Sequence, residues 1–302
     1  MTHPERPARP LQATPAAGTP RRPTVATEVA ITPEAYERFC AALEKHSGIL
    51  LGPNKGYLVS SRLAPLIATF SLANLLDLTE AMVKGNNPRL VAAVVDAMTT
   101  NETKWFRDEY PFAALAECVL PDWVEEKKFS ARVLSAACST GQESYSVSMV
   151  VSEYAKRFPS QKVPRVSVVA TDISDSVLDQ ARAARYSDKE VMRGLTPERQ
   201  RTYFEVDSPG MLVLKREIAE RVTFQKRNLL NDLTALGKFD LVYCRNVLIY
   251  FSNERKQRVI GNLMKVMNPG AYFIVGGSES LGALGPQFKM TTFKGGVIYQ
   301  LK

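Results

Sequence analysis

The sequence predicts an α/β protein in which a Rossmann-like, mostly parallel sheet follows a small all-helical domain and carries a small β-hairpin insertion. Three observations predict it. After residue 131, short runs rich in small and β-branched residues (133–138, 166–172, 221–225 and 239–246) alternate with helical patterns, as parallel strands joined by helical crossovers do. Four amphipathic stripes precede them between residues 31 and 98. A Ser208-Pro209-Gly210 turn between two β-prone runs interrupts the alternation, and two closing β segments form an antiparallel edge.

Residues 1–28 carry six prolines among Ala, Thr and Arg with little to bury, and read as a disordered tail. The helical domain spans 29–98. Its first helix begins with Thr32 as cap and Pro33 in the first turn, repeats Tyr36, Phe39, Cys40 and Leu43, and stops at Gly48. A second helix covers about 55–70, with Pro65 as an expected kink. Ser71 is expected to cap a third helix carrying Leu75, Leu76 and Met82, and Pro88 opens a fourth with Leu90, Val91, Val94, Val95 and Met98 on one face. Residues 99–130 form a linker and connecting helix. The stretch 99–112, T-T-N-E-T-K-W-F-R-D-E-Y-P-F, concentrates hydrogen-bonding side chains at the junction of the two halves, where crevices favour ligands.

The Rossmann-like domain occupies 131–302. Its first strand ends in Ser139-Thr140-Gly141 and feeds a helix from Gln142, leaving backbone N–H groups at the carboxyl edge of the sheet. The second strand, 166–172, ends in Asp172, and helices follow over 175–185 and 195–204. The antiparallel insertion lies at about 203–220. Strands at 221–225 and 239–246, a helix at 253–267, a strand at 271–276 after Asn268-Pro269-Gly270, and edge segments at 288–293 and 296–301 complete the domain.

Composition narrows the function. With 45% hydrophobic and 23% charged residues in 302, the chain has an ordinary soluble core. The net charge of +8 is spread among scattered Lys and Arg without a base-stacking motif, so no nucleic-acid surface is expected. Four separated cysteines and two histidines make a poor metal inventory, and no metal is expected. The sequence shows neither an apolar run of membrane-spanning length nor a secretory signal, which favours a cytoplasmic protein without membrane insertion.

The cofactor reading rests on the first two strands. A nicotinamide site would show G-x-G-x-x-G and an acid about 20 residues on. Here the turn has only Gly141, and Asp172 comes 31 residues later. That pattern suits a nucleoside without phosphates, such as S-adenosylmethionine, with Asp172 on its ribose.

Five segments in order, N-E-T-K-W-F-R, A-A-C-S-T-G-Q-E-S-Y-S, A-T-D-I-S, N-L-L and C-R-N-V-L-I-Y-F, resemble the CheR family of chemotaxis-receptor protein-glutamate O-methyltransferases. The resemblance runs from about residue 31 to the C-terminus. It implies a class I S-adenosylmethionine-dependent methyltransferase fold, S-adenosylhomocysteine as product, and as partner the cytoplasmic helical bundle of chemotaxis receptors. It also implies site residues. Asn101, Thr103 and Arg107 would reach the methionine portion of the cofactor, Glu143 its ammonium group, and Asp172 its ribose. Asn228, Leu229, Arg245 and Asn246 would line the adenine and sulfonium surroundings, and Tyr250 would stand beside the transferred methyl. Arg107 and Tyr250 are the candidates to orient the incoming carboxylate, and Lys55 and Arg62 to meet the receptor. A carboxylate nucleophile is ionised at neutral pH, so the shortage of histidine is no objection.

Three departures from the family pattern stand out. Ser144 replaces a usual proline, Ala64 and Pro65 occupy positions often basic, and the hairpin turn at 206–211 is short, which points to an enzyme independent of a receptor C-terminal pentapeptide; a monomer is expected. Two other readings remain: a catalytically silent S-adenosylmethionine-binding regulatory module, and a methyltransferase for nucleic acids or small molecules. Against the nucleic-acid reading, R-N-V-L stands where amino-methylating nucleic-acid enzymes commonly carry [DN]-P-P-[YF].

Overall fold

The computed structural model describes residues 31–302, so the tail expected at 1–28 lies outside the described residues. Four helices open the described chain: α1 (Pro33–Ser47), α2 (Gly56–Thr69), α3 (Leu75–Lys84) and α4 (Pro88–Met98). Thr32 caps α1 by accepting from Ala35 N at 3.3 Å, and Pro33 fills its first turn. Pro65 sits inside α2 without ending it. The cap of α3 is Asn74, which accepts from Asp77 N at 3.0 Å, rather than Ser71. Phe39, Leu43, Val59, Leu63, Leu78, Met82 and Val94 make the core of this bundle.

A connecting segment follows, with α5 (Tyr110–Ala114), a π turn (Leu115–Val119) and α6 (Leu120–Glu125). The chain then alternates through β1 (Ser130–Ala136), α7 (Gln142–Arg157), β2 (Arg165–Asp172) and α8 (Asp175–Ala183). An insertion carries β3 (Arg185–Ser187), α9 (Asp188–Met192), α10 (Pro197–Tyr203), β4 (Phe204–Ser208), β5 (Met211–Leu214) and α11 (Arg216–Ala219). The framework resumes with β6 (Val222–Lys226), β7 (Phe239–Cys244), α12 (Asn253–Lys265), β8 (Met267–Val275), β9 (Phe288–Phe293) and β10 (Gly296–Leu301).

Seven strands form one sheet in the order β6-β2-β1-β7-β8-β10-β9, parallel except where β10 pairs antiparallel with β8 and β9. Both faces are buried, which explains the near-continuous apolar strands. Val133, Val168, Leu241, Tyr243 and Ile274 face a core shared with α5 to α7, while Leu134, Val169, Val242, Phe273 and Val275 face one shared with α12.

Two local expectations change. The insertion carries the expected β4–β5 hairpin, widened to a three-stranded sheet, β3-β5-β4, because residues 185–187 leave α8 and pair with β5. Three residues are too few to show a strand period. The turn expected at 268–270 is an irregularity inside β8: Phe239 pairs with Met267 and Leu241 with Tyr272. No helix among the described residues is long and apolar enough to cross a membrane.

The chain leaves β1 for β2 on one side, and β7 lies on the other. The carboxyl ends of β1 and β7 therefore bound a topological switch point, the usual ligand crevice of open α/β sheets. The helical bundle is anchored beside it. Leu50 N donates to Tyr250 O at 2.8 Å, Asn228 Nδ2 to His46 O at 3.0 Å, and Arg255 pairs with Glu44 at 2.9 Å. On the opposite side of the junction, Asp96 accepts from the hydroxyls of Ser174 and Ser176.

Candidate active site

A cavity of about 380 Å³ opens at the switch point. Its walls come from the turns after β1, β2 and β7, from residues 98–107 of the connecting segment, and from the α1–α2 connection. The volume is ample for a nucleoside-sized ligand.

Its floor is the turn after β1. Ala137, Ser139 and Gly141 alternate in the left-handed region, with φ of 58°, 50° and 93°. Such alternation turns successive N–H groups toward one side. Gly141 is required here, since a Cβ would lie 3.1 Å from both Ala181 and Tyr145 at that positive φ. Asp172 locks the turn: its carboxylate accepts from Ser139 N at 2.8 Å and from Ser174 N at 3.0 Å. Ser139 Oγ in turn donates to Asn101 O at 2.9 Å, tying the connecting segment to the sheet edge. Burial raises the Asp172 pKa, and the N–H groups of Ser174 and Ser139 oppose that without cancelling it.

The wall opposite is organised by Arg245, whose side chain is 1% exposed. It donates to Glu143 at 2.8 Å, and to Asp108 and Arg107 O at 2.7 Å each. Ser135 Oγ donates to the second Glu143 oxygen at 2.8 Å. Burial by itself would lower the Arg245 pKa, but the Glu143 and Asp108 carboxylates reverse the direction and hold it ionised. Its Nε is buried without a hydrogen-bond partner.

Ten of the residues singled out in the sequence line this one cavity: Lys55, Asn101, Thr103, Arg107, Glu143, Asp172, Asn228, Leu229, Arg245 and Asn246. Tyr250 joins them from the one-turn helix after β7. Arg62 does not. Its Nη1 donates to Ala97 O at 3.3 Å and Thr99 O at 2.8 Å at the end of α4, and the residue is half-exposed. Glu143 and Arg245, separate contacts in the sequence reading, are one ion pair. Sequence reasoning missed Ser135, Asp108 and Glu279. Asp108 follows Arg107 directly, but nothing in its spacing announced a buried arginine 137 residues later.

Comparison with known proteins identifies a family. Residues 101–297 match the family model described as the CheR methyltransferase S-adenosylmethionine-binding domain, and residues 34–99 match the CheR methyltransferase all-alpha domain. Chemotaxis protein methyltransferase 1 of Vibrio cholerae is 45% identical over 276 residues, covering 91% of this chain and all of that protein. A protein of the same name from Pseudomonas aeruginosa is 44% identical over 268 residues, covering 88% of this chain and 97% of its own. The Escherichia coli chemotaxis protein methyltransferase is 29% identical over 277 residues, covering 90% and 92%.

Proposed function

The chain belongs to the CheR methyltransferase family, and on that premise we propose that it esterifies glutamate side chains of chemotaxis receptors with the methyl group of S-adenosylmethionine. The observation that carries the reading is the single cavity onto which the connecting segment, the β1 turn, the end of β2, Asn228-Leu229 and the β7 loop all converge. The acceptor set suits the cofactor: a buried carboxylate at Asp172 for two ribose hydroxyls and a partly exposed one at Glu143 for an ammonium. When bound, S-adenosylmethionine supplies an electrophilic methyl on a sulfonium.

The chain's own residues supply alignment. A receptor glutamate, with an unperturbed pKa of about 4.3, arrives as a carboxylate and needs no base. Its oxygen forms a bond to the methyl carbon as the sulfur–carbon bond breaks, with the electron pair passing to sulfur. Arg107 and Tyr250, both half-buried at the cavity, orient the carboxylate, and Lys55 stands exposed at the mouth to attract it. Tyr250→Phe is expected to lower kcat about tenfold at saturating receptor, the loss of one hydrogen bond to a charged group. Unchanged turnover in a steady-state assay would remove the hydroxyl from the mechanism.

Asp172 sets a pH dependence. Its folded-state pKa lies above the unfolded value, so the fold holds that proton more tightly, and the ionised carboxylate costs stability above the folded pKa. The ionised form is nonetheless the one that accepts from two hydroxyls. Affinity for S-adenosylhomocysteine is therefore expected to fall on acidification, starting above the ordinary aspartate range, as calorimetric titration across mildly acid pH would show.

We place the enzyme as a monomer acting on the cytoplasmic helical bundle of receptors without a pentapeptide tether. The link between β4 and β5 is only Pro209-Gly210. Calorimetry with a receptor C-terminal pentapeptide is expected to show no binding at micromolar concentration, and saturable heat there would overturn that part. The reaction itself is tested by incubating labelled cofactor with a receptor signalling domain and then adding alkali. Methyl esters release volatile methanol, whereas alkali-stable label would exclude carboxylate methylation.

A further inference from the structure

Glu279 lies outside the cavity lining, yet its carboxylate accepts from three backbone N–H groups that bracket the active-site loop. Oε2 accepts from Asn246 N and from Gly276 N, both at 2.8 Å, and Oε1 from Ile249 N at 3.2 Å. Glu279 N donates back to Gly276 O at 2.9 Å. The carboxylate thus staples the carboxyl ends of the adjacent parallel strands β7 and β8. What it staples is the segment that carries Asn246 and Tyr250.

That segment is poorly held by its own backbone. Asn246 adopts φ of 56°, a left-handed conformation that asparagine tolerates better than most residues with a side chain, and residues 248–250 form only a single 3-10 turn. Such a conformation persists only when the surroundings over-determine it. An ionised acceptor receiving three N–H donors does so, since charge-assisted bonds are about twice as strong as neutral ones. The fit is close. A Cβ at Gly276 would lie 2.6 Å from Glu279 Oε2 and 3.1 Å from Asn246 N.

We propose that Glu279 is a positioning residue for methyl transfer: it holds the 246–250 loop so that the Tyr250 side chain meets the receptor carboxylate. This rests on the function proposed above. Gln is the discriminating replacement, because its amide keeps one acceptor oxygen but turns an N–H₂ toward a backbone N–H that needs an acceptor.

The test is a double-substitution cycle of Glu279→Gln with Tyr250→Phe, read as kcat at saturating receptor and cofactor, with S-adenosylhomocysteine calorimetry on each variant. Glu279→Gln is expected to lower kcat about tenfold in the native background and less than about threefold in the Tyr250→Phe background, because residues acting through one another are not additive. KM for receptor should stay within about threefold, since docking at the mouth is untouched. Should Glu279→Gln fail to fold, Gly276→Ala displaces the same carboxylate and should give the same pattern. An equal loss in both backgrounds, or a loss below threefold in the native one, overturns the proposal. Inactivity of the unsubstituted protein on receptors would instead overturn the parent reading of function.

Discussion

Arg245→Ala is expected to be the most damaging single substitution, lowering stability by about 3–5 kcal/mol because it strands the Glu143 carboxylate, only 13% exposed, without its buried counter-charge. Asp108 and the Arg107 carbonyl lose the same partner, so the connecting segment loosens from the sheet. Thermal unfolding of the cofactor-free protein measures the loss. The double substitution Glu143→Gln with Arg245→Met should recover much of the stability, since removing both charges of a buried pair is often neutral. It should not recover affinity for S-adenosylhomocysteine, because the cavity then lacks both ions. Recovery of binding in the double variant would show that the ion pair is scaffolding only.

Asp172→Ala is expected to weaken S-adenosylhomocysteine binding by about two orders of magnitude or more, because hydrogen bonds to a charged group contribute about 1.5–3 kcal/mol each and the ribose offers two hydroxyls. It also leaves Ser139 N and Ser174 N without their acceptor, so the unfolding temperature falls as well. Asp172→Asn separates the two effects. It keeps one acceptor for the turn and should retain most of the stability while remaining poor in cofactor affinity. Calorimetry well below the unfolding temperature of each variant is the appropriate measurement.

These two predictions show what was legible in the sequence. The fold class was, because strands buried on both faces must be apolar and because crossover helices must carry a stripe. The residues that line the cavity were also legible one by one, through segments whose order and spacing resemble a family. Their mutual arrangement was not. Glu143 and Arg245 lie 102 residues apart, and only the pairing of β1 with β7 brings them to one wall. The two bonds that Arg62 makes to carbonyls at the end of α4 were not legible either. Short elements failed for a different reason. The strand 185–187 and the irregularity in β8 are fixed by their neighbours across the sheet, and so leave no period in the chain. Glu279 was invisible because its partners are backbone N–H groups, which no side-chain motif records.

Whether this cavity methylates receptor glutamates is decided by peptide mass spectrometry. Candidate receptor signalling domains are incubated with the protein and S-adenosylmethionine, then digested at acid pH to preserve esters. A mass increase of one methylene is expected on specific glutamate side chains, absent when Asp172→Ala replaces the native protein. Unmodified receptors, or methyl groups on nitrogen-bearing side chains instead of glutamate, would contradict it.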